Sequence, residues 1–324
     1  MTFQVLKLVI GLGLLSVGAD IFVRGATNMA SRYGVSPLII GLTVVAFGTS
    51  APELFVSLFA AWQGNADIAV GNVLGSNIFN ILVIVGFAGI LCPISISEGI
   101  LRREMPIMIF VMGLFLLFGS NGLISRLEGI LLSIGIFGYV YYNYRAAKSG
   151  AGALLAEEML SEVENEQTQG GAGLLLDWVY LVLGLTGLVF GSEWIVASAT
   201  VLAKEFGVSD LVIGVTIIAA GTSLPELATT IAAAYRGQPE LAIGNAIGSN
   251  VFNVLCVLGF SSSIVPLSVT REIMEFDIWF MTGSCIFALV LMSTRARVSR
   301  AEGGLLLLAY VGYILAVVQK MGHV

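Results

Sequence analysis

The sequence predicts an all-α polytopic membrane protein with ten transmembrane helices arranged as two inverted five-helix repeats. Three observations carry that prediction. The 324 residues are 57% hydrophobic and only 11% charged, with a mean hydropathy of +0.96, whereas roughly a quarter of the residues of a soluble domain are charged. The chain divides into ten apolar stretches, most of them near the ~20 residues needed to cross the hydrocarbon core. The second half also repeats the first. The charge deficit excludes a soluble enzyme, a nucleic-acid binder and a disordered scaffold. Three cysteines without CxxC spacing and a single histidine, His323, leave no disulfide framework and no His/Cys metal site, so neither redox nor zinc chemistry nor a resident cofactor is expected.

The apolar stretches fall near residues 3–23, 37–61, 68–92, 105–120, 127–144, 174–197, 210–235, 241–265, 275–293 and 303–319. The first could pass for a signal peptide behind Lys7, but its counterpart at 174–197 lies mid-chain, where no such signal operates. With ten spans both termini lie on one side and the central connection on the other. The connection's side receives Arg24, Arg32, Arg102, Arg103, Arg145, Lys148, Arg236, Arg295, Arg297 and Arg300, against Arg126, Lys204, Arg271 and Lys320 opposite, with Lys7 borderline. The positive-inside rule therefore places both termini outside a plasma or inner membrane and the central loop in the cytoplasm. The expected division is a first five-helix repeat over 1–145, an acidic linker over 146–173 and a second repeat over 174–324. The linker carries Glu157, Glu158, Glu162, Glu164 and Glu166 without EF-hand spacing and reads as solvated, with room for one short amphipathic helix.

Residues 33–80 align without a gap on 206–253, an offset of 173, with 25 of the 48 positions identical. GTSAPE (Gly48 to Glu53) matches GTSLPE (Gly221 to Glu226), and GNVLGSNIFN (Gly71 to Asn80) matches GNAIGSNVFN (Gly244 to Asn253). Asp20 with Glu193, read as interface anchors, and Arg103-Glu104 with Arg271-Glu272 extend the correspondence more loosely. Five spans per copy is an odd number, so the second copy enters the membrane from the opposite face, as in transporters built from inverted repeats.

Glu53 and Glu226 stand inside apolar spans, where a carboxylate costs at least about 2.5 kcal/mol. No Lys or Arg is expected at their depth, so the counter-charge has to come from outside, as metal cations or protons. Pro52 and Pro225 remove backbone donors, and Gly48 and Gly221 loosen the same turns, so both spans are expected to break there and free carbonyls, those of Ala46 and Ala219 among them. Thr49 and Thr222 share a helix face with the glutamates at i, i+4, and Ser50 and Ser223 add adjacent oxygens. Asn72, Ser76 and Asn80 form a stripe repeated by Asn245, Ser249 and Asn253. Ser76, Asn80, Ser249 and Asn253 are read as ligands; for Asn72, Asn77, Asn245 and Asn250, hydrogen bonding between helices is an equal alternative. An all-oxygen set suits sodium or calcium better than magnesium, copper or zinc. Two carboxylates ~5 Å apart repel by roughly 3 kcal/mol at an effective dielectric near 20, so one divalent ion, or several monovalent ions or protons, would neutralise the pair in turn.

The paired GTSxPE and GNxxGSNxFN motifs resemble the alpha repeats of the calcium/cation antiporter superfamily, most closely its prokaryotic sodium/calcium exchangers. The resemblance spans essentially the whole chain. It implies a central site on the second, third, seventh and eighth helices, with the first and sixth sliding as a gate. It also implies a ligand set of Ala46, Thr49, Ser50, Glu53, Ser76 and Asn80 with Ala219, Thr222, Ser223, Glu226, Ser249 and Asn253. The expected function is exchange of Ca2+ for Na+ by alternating access, the rivals being Ca2+/H+ exchange and a cation channel or sensor. The expected partners are Ca2+, Na+ or H+ and the lipid bilayer, with no nucleic acid and no obligate protein partner. Many relatives carry Asp where this chain has Asn253, which puts a three-for-one sodium stoichiometry and a potassium requirement in question.

Overall fold

The computed structural model describes residues 2–148, 171–206 and 219–321. The acidic linker, the first part of the predicted span at 210–235 and His323 lie outside the described residues. The described chain is almost entirely helical. Among the described residues six helices are long and apolar enough to cross a membrane, and a seventh span is formed if one bent pair is counted.

Helix α1 (Thr2–Tyr33) is followed by α2 (Pro37–Thr49) and α3 (Ala51–Trp62), which meet at a bend of 44°. Next come α4 (Ala66–Leu91) and α5, made of a π-helical turn Ile100–Glu104 and an α-helix Met105–Gly119. Helix α6 (Arg126–Lys148) closes the first half. The second half runs through α7 (Gly171–Glu205), a helical turn Ala219–Gly221, α8 (Leu224–Tyr235), α9 (Pro239–Ile264), α10 (Ile273–Arg295) and α11 (Arg300–Met321). The boundaries recur with the offset read from the sequence. Ala66–Phe79 becomes Pro239–Phe252, and the π-helical turn at Asn80 recurs at Asn253.

Two expectations need correction. Helix α1 runs ten residues past the predicted end at 23, so Asp20 lies within a helix rather than at its edge; Asp20 accepts from Nε of Arg236 at 2.6 Å and pairs with Arg24. The π-helical turn at Ile100–Glu104 is repeated at Ile273–Asp277, so the counterpart of Glu104 is Asp277, not Glu272. Each of these acids accepts a hydrogen bond from a tyrosine, Tyr139 (3.3 Å) and Tyr313 (3.0 Å) respectively. The chemically similar Arg-Glu dipeptides mark different places in the two halves.

Helices α1 and α7 lie antiparallel, Gly11 against Gly191, Gly18 against Gly184 and Gly187, and Gly25 against Asp177 and Leu181. A Cβ on Gly18 would stand 2.8 Å from the Gly187 carbonyl carbon, so the helices approach to backbone contact. In lipid no hydrophobic force joins helices, and close packing of this kind takes its place. Arg32 Nε bonds Asp177 at 2.7 Å and ties the ends of the pair together. The main core lies elsewhere, around α4 and α9, whose middle segments are almost wholly buried.

Four two-residue strands stitch the halves to each other. β1 (Ile94–Ser95) pairs antiparallel with β4 (Arg297–Val298), and β2 (Leu123–Ile124) with β3 (Leu267–Ser268). Every pair takes one strand from each half. Flanking bonds repeat the exchange: Ile96 N–H donates to Ala296 O (2.8 Å), and Val269 N–H to Gly122 O (2.9 Å).

Candidate cation centre

The centre is built where α2 gives way to α3 and where Ala219–Gly221 gives way to α8. Proline at the second position of each new helix has no N–H to continue the preceding turn, and the residue before each helix takes up the change: Ser50 has φ −82° and ψ 3°, Ser223 φ −90° and ψ 7°. The break brings the serine hydroxyl and the glutamate three residues on to the bundle interior. Glu53 and Glu226 are fully buried, and Ser50 and Ser223 nearly so.

The halves then exchange hydrogen bonds. Ser223 Oγ donates to Glu53 Oε1 at 3.1 Å, and Ser50 Oγ donates to Glu226 Oε1 at 3.3 Å. Each carboxylate is therefore held by the serine of the opposite half. Thr222 and Ser76 lie beside Glu53, Thr49 and Ser50 beside Glu226, and the two carboxylates are within electrostatic reach of each other. Among the described residues no Lys or Arg acts on either. Among the described residues no group of three or more His, Cys, Asp or Glu side chains is gathered, so the formal charge of the centre rests on two glutamates.

Asn72 and Asn245 bracket this pair. Asn72 Nδ2 donates to the backbone carbonyl of Glu53 (3.3 Å) and to Ser57 Oγ (2.9 Å), while its Oδ1 accepts from Thr222 Oγ1 (3.3 Å). Asn245 does the same for the second half, with the Glu226 carbonyl (3.2 Å), Thr230 Oγ1 (3.0 Å) and Thr49 Oγ1 (3.1 Å). Each amide nitrogen has partners for both its hydrogens and each amide oxygen accepts one hydrogen bond, so of the two readings open for them the structure supports hydrogen bonding between helices. Ser57 and Thr230 escaped the sequence reading. Both are hydroxyls four residues past a glutamate and 173 positions apart, and that recurrence was the available signal.

Buried side-chain atoms without a hydrogen-bond partner among the described residues include Glu53 Oε2, Glu226 Oε2, Ser76 Oγ, both amide atoms of Asn80 and Oδ1 of Asn253. Ser249 Oγ has only a long contact, 3.5 Å, to Thr49 Oγ1. An unsatisfied buried polar group costs about 1–3 kcal/mol. Five of the unpartnered atoms named are oxygens, carried by residues of α3, α4, α8 and α9. The expectation for Ala46 needs qualification: its carbonyl is not freed, since it accepts the Ser50 N–H at 3.0 Å and has Thr49 Oγ1 at 3.5 Å. Ala219 is the first described residue of its segment.

Fold and centre together define a helical, multi-pass membrane protein built around a buried acidic pair in an oxygen-rich shell. The sequence profile of the sodium/calcium exchanger protein family matches residues 3–145 and 176–319, one stretch in each half. The chain belongs to the sodium/calcium exchanger family. It is 35% identical to the sodium/calcium exchanger MaX1 of Methanosarcina acetivorans, covering 97% of this chain and 98% of that one. It is 38% identical to the inner membrane protein YrbG of Escherichia coli, over 92% of each. Among solved structures it resembles the sodium-calcium exchanger NCX_Mj, with a TM-score of 0.82, 28% identity and coverage of 96% and 97%.

Proposed function

We propose that this chain is a secondary antiporter that exchanges Ca2+ for Na+ across the cell membrane by alternating access, with no catalytic step of its own. The observation that carries the reading is the buried Glu53–Glu226 pair, cross-held by Ser223 and Ser50 and free of any basic partner. One divalent ion neutralises both carboxylates at once. Monovalent ions neutralise them singly, at positions completed by Thr49, Thr222, Ser76, Ser249, Asn80, Asn253 and the carbonyls of Ala46 and Ala219. Occupancy by one set excludes the other, and that exclusion couples the two fluxes.

The proposed architecture is ten spans in two inverted repeats, 1–145 and 174–324, joined by a cytoplasmic linker over 146–173, with both termini outside. The strand pairs support it: with ten spans β1 and β4 fall on the cytoplasmic face and β2 and β3 on the outer one, so each pair joins loops of the same side. The antiparallel, glycine-packed α1 and α7 form the element that slides across the core.

Sodium-driven 45Ca2+ uptake by proteoliposomes, with pH clamped equal on both sides, tests the proposal. Uptake that follows the sodium gradient is expected. Uptake that ignores sodium and follows an imposed pH gradient would assign the carboxylates to protons instead, and conduction without saturable counterflow would indicate a channel.

A further inference from the structure

An asparagine at a cation site has an ambiguity that an aspartate lacks. Its amide oxygen and nitrogen fill nearly the same space, but only the oxygen attracts a cation, and the choice between them falls to the surrounding hydrogen bonds. The structure supplies that choice for Asn253. Its Nδ2 donates to Asn77 Oδ1 at 3.1 Å, which leaves Oδ1 of Asn253 buried and unpartnered.

Asn77 can accept there because its own Nδ2 turns the other way, toward Met112 Sδ (3.6 Å) and Met281 Sδ (3.7 Å). A thioether sulfur accepts weakly and donates nothing, so an amide oxygen in that position would find no donor. The nitrogen is the favoured occupant. The Asn77 backbone carbonyl also accepts from Asn250 Nδ2 at 3.2 Å, and that nitrogen in turn lies 3.7 Å from Met108 Sδ. Three methionine sulfurs thus back the two asparagines.

We propose that Asn77 is a positioning residue that fixes the Asn253 carboxamide with its oxygen toward the cation and its N–H2 away from it. The proposal rests on the reading of Asn253 as a cation ligand. The first half has no equivalent device. Neither amide atom of Asn80 has a partner, and Asn250 Oδ1, the atom that would hold it, is also unpartnered. One of the two asparagines is therefore oriented before the ion arrives, and the other is left to turn with it.

Calcium binding to the purified full-length chain in detergent, by 45Ca2+ equilibrium binding, tests this. Asn77→Leu removes the acceptor and is expected to lower affinity by about 10- to 100-fold, the usual range for a partner that orients a metal ligand. Asn77→Asp keeps an acceptor oxygen and is expected to retain affinity. Asn253→Asp presents an oxygen whichever way it turns, so in that background Asn77→Leu should cost less than about threefold, a coupling that a packing role would not produce. If Asn77→Leu does not yield folded protein, Asn77→Ala removes the same acceptor and is read the same way. The proposal is overturned if the Asn77→Leu loss is under threefold, or equal in both backgrounds. Glu226→Gln run alongside separates the two levels: binding that survives it unseats the cation centre itself, whereas binding lost there with no effect at Asn77 overturns only the orienting role.

Discussion

The inside of the molecule and its periphery treat the repeat differently. Around the acidic pair the halves are twins: Glu53 and Glu226, Ser50 and Ser223, and Asn72 and Asn245 occupy matching places and make matching bonds. Away from it they diverge. Arg236 reaches Asp20 from the end of α8, but the equivalent position at the end of α3 is Gln63, and the counterpart of Asp20 is the exposed Glu193. Helix α1 packs along α8, and no comparable packing of α7 on α3 is found among the described residues. The turns before β2 and β4 also differ, with Gly122 at φ 85° in the first half and Ala296 at φ 48° in the second. Residues around the acidic pair are kept in register, whereas those at the α1–α8 contact and at the turns before β2 and β4 are not.

The comparison is broken most severely at the carboxylates. Glu53→Gln and Glu226→Gln should each weaken calcium binding by roughly 100-fold or more, since an uncompensated buried charge costs about 3–5 kcal/mol. A large loss from one with none from the other would end the equivalence of the halves. Glu162→Gln, in the linker, should leave binding unchanged.

A smaller effect sharpens the comparison at the turns. The left-handed region costs a residue with a Cβ about 1–2 kcal/mol, and glycine is free of that cost. Ala296→Gly makes the second turn like the first and should raise the unfolding temperature in detergent, with a gain of up to about 1 kcal/mol after glycine's greater flexibility in the unfolded chain is set against it. A fall in that temperature would mean the alanine makes a contact worth more than the strain.

The smallest effect is expected at the ion pair. The side chains of Arg236 and Asp20 are 32% and 42% exposed, so the pair contributes only about 0.2–1 kcal/mol. Arg236→Gln, which copies Gln63, should shift the balance between conformers by no more than roughly fivefold. Spin-label distances between α1 and α8 read that shift directly. An unchanged distribution would reduce the pair to a surface contact.

Much of this was legible in the sequence because polar groups in an apolar chain stand out. The glutamates, the proline breaks and the asparagine stripes all declare themselves against leucine and valine, and the second copy fixes their register. Other features left weaker marks. A π-helical turn adds one residue to a helical period, and in α4 and α9 apolar side chains surround the extra residue on every face, so periodicity cannot register it. The end of α1 was missed because Arg24 and Arg32 halt a hydropathy count while the backbone continues as helix. The roles of Asn72, Asn77, Asn245 and Asn250 stayed open because an amide bonds in either direction, and only its neighbours decide.

The crossed strands carry a consequence for how such a protein persists. Each half leaves the backbone groups of its short strands to be answered by the other, at both ends of the bundle. Neither half satisfies the backbone groups of these strands without the other. Cutting the peptide in the linker removes none of these handshakes, and two separately made halves retain the surfaces by which they find each other.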